Sequence, residues 1–244
     1  MKRYSDHPGA HISMGQDPEL AQILTQTVSA YGLCCAIETG TYDGTGSTVL
    51  LARAFCPQGQ ALGPVITIEA NWTSFRAACA NLAVFPQVNC RWGLSVRRKE
   101  AVQFIENDPV LRHHDREPDI FIDETENPRD FYLREISGHL PGIAAPAADG
   151  PNVPAPEDLL REALAECRCG PPLILLDSSG GIGLLEFEVV LDAMNSRPFV
   201  LVLDDTLHLK HFRSLRRIQT DSRFKLIVKG TRRDWIIAAF RPDV

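Results

Sequence analysis

Ala36-Ile-Glu-Thr-Gly-Thr-Tyr-Asp-Gly-Thr-Gly-Ser-Thr48 is the stretch whose reading decides the fold. An apolar run from Leu33 to Ile37 ends in an acid, Glu38, and glycines follow at 40, 44 and 46. Thr48 to Phe55 then has helical character, so the order is strand, tight loop, helix N-terminus. Glycines in such a loop let the backbone approach a ligand and adopt φ > 0. Gly40-x-x-x-Gly44-x-Gly46 has neither the spacing of a dinucleotide fingerprint nor the Gly-Lys-Ser/Thr of a P-loop, which disfavours an NAD enzyme. A carboxylate beside the loop would repel a pyrophosphate but suits an amine or a sulfonium cation.

The same alternation continues outward. Pro18 to Tyr31 reads as a helix with apolar positions on one face, capped by Asp17 or Ser13. The first strand spans about 33–38 and its helix 47–56. Val65 to Glu69 is a second strand ending in an acid, followed by a helix from Trp72 to Leu82 with Asn71 as cap. Val88 to Trp92 and Lys99 to Asn107 make a third pair. After an irregular segment, a helix (157–167), a fourth strand (172–177), a helix (184–194), a fifth strand (199–204) and a helix (208–220) follow. Phe224 to Lys229 and Trp235 to Phe240, joined by Gly230-Thr-Arg-Arg, close the chain as a hairpin. The expected fold is α/β: a Rossmann-like, doubly wound, mostly parallel sheet with a C-terminal antiparallel hairpin. One domain covers 1–244, with 1–32 an N-terminal helical or lid segment and 108–155 an irregular insertion on the substrate side. Ile120 to Asp123 mimics a strand ending in an acid, and is set aside as strand four because no helix and next strand follow at normal distance. Pro128 to Ser137 has the character of a short helix.

At 244 residues, 44% hydrophobic and with a net charge of −6, the chain suits a globular protein and argues against nucleic acid as partner. Its seven cysteines, an odd number in mostly apolar surroundings, read as reduced thiols of a cytoplasmic protein. No signal peptide or membrane span is apparent. The expected partner is a small-molecule substrate, with self-association through the insertion as a further possibility.

Ligands of open α/β sheets bind outside the carboxyl ends of the strands. Five carboxylates stand there: Glu38, Glu69, Asp177, Asp204 and Asp205. Glu69 suits ribose hydroxyls; three converging hard oxygens from Asp177, Asp204 and Asp205 suit Mg²⁺ or Ca²⁺.

On these residues the chain resembles class I S-adenosylmethionine-dependent methyltransferases of the metal-dependent O-methyltransferase kind (catechol and macrocin types). The resemblance covers about 33–95 and 172–240. Glu38-x-Gly40-x-Tyr42-x-Gly44 matches the motif that holds the methionine part of the cofactor, with Ser47 displaced one place by an extra glycine. Thr67-Ile-Glu69 matches the ribose motif, Gly93-Leu-Ser95 the adenine side, and Asp177 with Asp204-Asp205 the metal triad. The resemblance therefore implies S-adenosylmethionine and Mg²⁺ as cofactors and Mg²⁺-assisted methylation of a hydroxyl, with Asp177 touching both groups. It also implies a His or Lys base three residues after Asp177, where this chain has Gly180. His208, Lys210 and His211 are the replacement candidates, the two histidines sharing a helical face. A scaffold of this pattern also serves cephalosporin-hydroxylase-like proteins, so cofactor binding with other or lost chemistry is the alternative. His7 and His11, near Met14, are candidates for a lid, His113-His114 for a loop ligand, and Trp72 for a contact to adenine.

Overall fold

A computed structural model describes residues 1–8, 13–113, 116–137, 153–178 and 180–243. His11, His114 and much of the expected insertion lie outside the described residues. The chain begins with a two-residue strand, β1 (Lys2–Arg3), and α1 (Pro18–Ala30) follows. Asp17 caps α1 by accepting from the Glu19 and Leu20 amides at 3.0 and 3.4 Å. Its other carboxylate oxygen accepts from the Trp235 indole at 2.8 Å, which ties the helix start to the C-terminal hairpin.

Three strand–helix pairs come next: β2 (Cys35–Thr39) with α2 (Ser47–Ala54), β3 (Val65–Glu69) with α3 (Trp72–Asn81), and β4 (Val88–Trp92) with α4 (Arg98–Asn107). Asn71 caps α3 through the Ser74 amide at 2.9 Å, as expected. The described part of 108–155 is less irregular than its Pro and Gly content suggests. It holds α5 (Pro109–Arg112), β5 (Phe121–Ile122) and α6 (Pro128–Ser137). β5 stays out of the main sheet, as its flanks require, but it is a strand: it pairs in parallel with β1. Then come α7 (Leu159–Glu166), β6 (Pro172–Leu176), α8 (Gly183–Ala193), β7 (Phe199–Leu203), α9 (Phe212–Thr220), β8 (Phe224–Lys229) and β9 (Ile236–Phe240).

The main sheet has the order β4-β3-β2-β6-β7-β9-β8, and β9 alone runs antiparallel to its neighbours. β2, β6, β7 and β9 are buried on both faces, so their side chains alternate between two cores. Cys35, Ile37, Ile174, Leu176, Leu201 and Leu203 join the core that includes residues of α4 and α6 to α9. Ala36, Leu173, Leu175, Val200 and Val202 join the core beneath α1 and α2. The winding direction reverses between β2 and β6, and the carboxyl ends of those two strands open the crevice.

α9 starts at Phe212, four residues later than its sequence pattern predicts. The backbone between is already bonded elsewhere: Leu207 O accepts from Phe121 N at 3.0 Å and Leu209 N donates to Phe121 O at 2.8 Å. Asp205, at φ 52°, turns the chain away from helical geometry. His208 and His211 therefore do not share a helical face.

Gly40 shows why the first loop glycine is needed. Its φ is +85°, and a Cβ there would lie 2.1 Å from the Asp177 carbonyl oxygen. Gly40→Ala is expected to lower unfolding free energy by at least ~2 kcal/mol, read from urea midpoints.

Candidate functional site

The ends of β2, β3 and β6 and the loop after β4 wall a cleft of about 800 Å³ of partly solvent-open space. Of the residues expected to hold cofactor, Gly40, Tyr42, Glu69, Ser95 and Asp177 line it together. Ile68, Ala70 and Leu94 supply apolar wall, and Glu135 and Ile136 bring α6 of the insertion to its edge. Glu69 fastens the loop: one carboxylate oxygen accepts from the Tyr42 amide and the other from the Asn71 amide, each at 2.7 Å. Burial pushes its pKa up, against the pull of those amides. Tyr42 sits at φ 54° with its ring 71% exposed, so its backbone rather than its side chain is what the loop fixes.

Glu38, Ser47 and Gly44 are not on the cleft wall, and this corrects the reading of Glu38 as a partner for a sulfonium. Strand alternation sends the Glu38 side chain to the opposite face from Ile37, under the loop. There it is fully buried and accepts from Ser47, Thr48 and Thr67 hydroxyls, each at 2.6 Å. Burial raises its pKa to about 7 although the three hydroxyls oppose the shift. Gly44 packs on Leu82 and Ala78 of the α3 side. A second buried acid, Glu186 of α8, went unnoticed in the sequence because it lies within an ordinary amphipathic helix. Its carboxylate accepts from the Thr39 hydroxyl at 3.0 Å, behind the cleft floor. Burial raises its pKa, and the Ser95, Ser178 and Thr39 hydroxyls pull it back.

Asp177 belongs to the cleft and also to a charged cluster. Asp177, Asp204 and Asp205 offer oxygens within 4.8 Å of one another, a hard-donor set of the kind Mg²⁺ or Ca²⁺ takes. The chain's own cations hold those oxygens. Lys210 Nζ donates to Asp177 Oδ1 at 2.7 Å and to Asp205 Oδ2 at 2.9 Å. Arg233 grips Asp204 with two nitrogens, Nε at 2.8 Å, and reaches Asp205 Oδ1 at 3.1 Å. The Tyr4 hydroxyl also donates to Asp205 Oδ1. As folded, the residues present do not fit a divalent ion, because the Lys210 ammonium already bridges Asp177 and Asp205 and Arg233 pairs with Asp204. Burial pushes Asp177 and Asp204 above the usual carboxylate range. Burial would raise Asp205 too, but Lys210 and Arg233 outweigh it and hold Asp205 low.

Two of the three base candidates are enclosed by partners of their own. Lys210 is enclosed by carboxylates that hold its pKa well above the usual value in spite of burial, so it stays an ammonium. His211 is fully buried with Nε2 3.1 Å from the Leu176 carbonyl, and burial drives its pKa down to about 3. His208 Nδ1 accepts from the Lys210 amide at 3.1 Å, which places the proton of the neutral ring on Nε2. Nε2 lies 3.5 Å from Asp123 Oδ2, and that oxygen also accepts from the Tyr132 hydroxyl at 2.8 Å. A Cβ on Gly180 would meet His208 Cε1 at 2.6 Å, Asp123 Oδ2 at 2.7 Å and Tyr132 Oη at 3.0 Å. A side chain at 180 would have to displace these three groups. In the sequence Asp123 stood out as the acid ending a strand-like tetrapeptide and as one of several acids of the insertion. Burial would raise its pKa, but His208, Tyr132 and Lys210 prevail and keep it below the usual range.

The N-terminal segment lies over the aspartate cluster. Tyr4 stands edge-on to His208, ring centres 5.1 Å apart, and stacks with His7 at 5.8 Å. Met14 and Gly15 pack near the glycine loop instead, where a Cβ on Gly15 would be 2.8 Å from Gly46 Cα. Trp72 packs against Trp92 and Phe75 and is not part of the cleft lining.

No protein-family model and no curated protein matches the sequence. Solved structures match by fold. The O-methyltransferase from Bacillus cereus in complex with SAH aligns with a TM-score of 0.50 at 17% identity, over 92% of this chain and 82% of that one. The O-methyltransferase TomG from Streptomyces achromogenes, involved in tomaymycin synthesis and in complex with SAM, gives 0.50 at 16%, over 93% and 81%. SAH-bound methyltransferase PaMTH1 from Podospora anserina gives 0.50 at 11%, over 98% and 84%. The chain shares the fold of these three methyltransferases.

Glu38 should leave a mark on stability against pH. Its folded pKa of about 7 lies above its ordinary 4.5. Between these values the folded protein keeps a proton that the unfolded chain releases, so stability falls as pH rises through that window. Glu38→Gln is expected to remove up to ~1.4 kcal/mol per pH unit of that slope, measured by urea unfolding from acid to neutral pH. An unchanged slope would show that Glu38 is ionised throughout.

Proposed function

We propose that this protein transfers the methyl group of S-adenosylmethionine to a hydroxyl oxygen of a small molecule. The observation that carries the reading is the cleft at the β2–β6 switch, lined by the Gly40 loop, Glu69, Ser95 and Asp177. S-adenosylmethionine, when bound, supplies a methyl group on a sulfonium. The chain supplies position and charge. Glu69 uses one lone pair on each oxygen for backbone amides and keeps others for ribose hydroxyls. Ile68, Ala70 and Leu94 offer an apolar wall to a purine, with Ser95 as a polar contact. The backbone around Gly40 admits the methionine portion, and Asp177 marks the seam towards the acceptor.

Mg²⁺ is left out of this scheme, since Lys210 and Arg233 hold the aspartates. Asp123 takes the acceptor's proton. Its side chain is 36% exposed, and Tyr132 and His208 orient it. A carboxylate held below its usual pKa is a weak base, so the fitting acceptor is an acidic hydroxyl, such as a phenol with a pKa of about 10, rather than an alkanol. His208 Nε2 stands 3.5 Å from the same carboxylate. A net charge of −6 speaks against a nucleic-acid acceptor, and no described helix is long and apolar enough to cross a membrane. All seven cysteines are free thiols, which suits action in the cytoplasm.

Calorimetry with S-adenosylmethionine, followed by detection of S-adenosylhomocysteine with a panel of phenols, tests the reading. Glu69→Ala is expected to weaken cofactor binding at least ~10-fold. Asp123→Asn should lower kcat by ~100-fold or more while cofactor affinity holds. Binding without turnover across the panel would favour a cofactor-binding protein of other chemistry.

A further inference from the structure

We propose that Lys210 is a resident cation that occupies the divalent-ion position of this fold, so that the site works without a divalent metal. The inference rests on the methyl-transfer reading only for what the site does, not for what fills it. Three aspartates from the tips of β6 and β7 converge, and such a set demands a counter-charge. Lys210 supplies it from within the same turn. Its Nζ reaches two of the three carboxylates at 2.7 and 2.9 Å, and Arg233 saturates the third. With Arg233 also on Asp205, a divalent ion at this point would have to displace an ammonium and leave it buried beside a like charge.

The packing around Lys210 is independent support. Its side chain is 9% exposed, and the floor beneath it is cut to its shape. A Cβ on Gly183 would lie 2.5 Å from Lys210 Cγ and 2.7 Å from the Lys210 carbonyl oxygen. The aliphatic stem therefore runs across the first residue of α8, and any larger residue there would push the ammonium out of the cluster. A flexible surface lysine that merely found acids nearby would need no such groove. The backbone amide of Lys210 is also fixed, on His208 Nδ1 at 3.1 Å, so the direction of the side chain is set from its root. A fixed ammonium next to the Asp177 seam does part of what an ion would do: it keeps positive charge beside an acceptor oxygen and favours the anion. It differs in having no open coordination positions and in surviving chelation.

Mg²⁺ and Ca²⁺ titrations of the intact protein, followed by calorimetry and thermal unfolding, test this without reference to turnover. The wild type is expected to show no binding below millimolar concentrations and the same Tm in EDTA as in Mg²⁺. Lys210→Met should open the carboxylates, and Mg²⁺ should then raise its Tm by ~4 °C or more. Submillimolar Mg²⁺ binding by the wild type would overturn the proposal. So would a folded Lys210→Met protein that ignores both ions. Should that variant not be recoverable, Lys210→Gln carries the same readout, and the wild-type titration decides independently. S-adenosylmethionine binding, measured on the same preparations, reports on the methyl-transfer reading: its loss would sink that reading and leave the ion result standing.

Discussion

The cluster of Asp177, Lys210, Asp205, Arg233 and Asp204 is the contact on which the upper end of the molecule depends. It joins the tips of β6 and β7 to the turn of the C-terminal hairpin and, through the Tyr4 hydroxyl, to the N-terminus. Asp204, Asp205 and Lys210 are buried and Asp177 and Arg233 partly so, and removal of one charge leaves another stranded in low dielectric. Elements far apart in sequence are thereby held to one geometry. The left-handed backbone at Asp205 follows from the same demand, since it turns the carboxylate back towards Lys210 and Arg233.

Space around this cluster is made by missing side chains. Gly180 leaves room for His208, Asp123 and Tyr132; Gly181 lies under the Tyr132 ring; Gly183 passes the Lys210 stem. Gly40 admits the Asp177 carbonyl from the other side. A glycine-rich run after a strand invites comparison with a ligand loop. In the 180–183 run the close neighbours are the protein's own Asp123, Tyr132, His208 and Lys210.

Carboxylates on strand tips divide by which face they emerge from. Glu69 and Asp177 reach the cleft, whereas Glu38 turns under the loop and becomes the acceptor for three hydroxyls. Glu186 plays a similar part behind the floor, holding Thr39. Two buried acids without a cationic partner are costly unless hydroxyls satisfy them, and Glu38 has three such donors. They fix the loop and floor against which a ligand would pack.

Local pattern determined the order of strands and helices, the Asn71 cap, the parallel sheet with its closing hairpin, and the set of acids at the strand tips, and it narrowed the cap of α1 to Asp17 or Ser13. Those features follow from periodicity and from hydrogen bonds within a few residues, which a linear reading captures. Tertiary structure alone decided which acid faces the cleft and which cation answers the aspartates. It also decided that β5 pairs with β1, and that 208–211 bonds to β5 instead of starting α9. Lys210 meets Asp177 across 33 positions and Arg233 meets Asp204 across 29. No local periodicity encodes such pairings; they exist because burial in a shared low-dielectric pocket makes every unpaired charge too costly to keep.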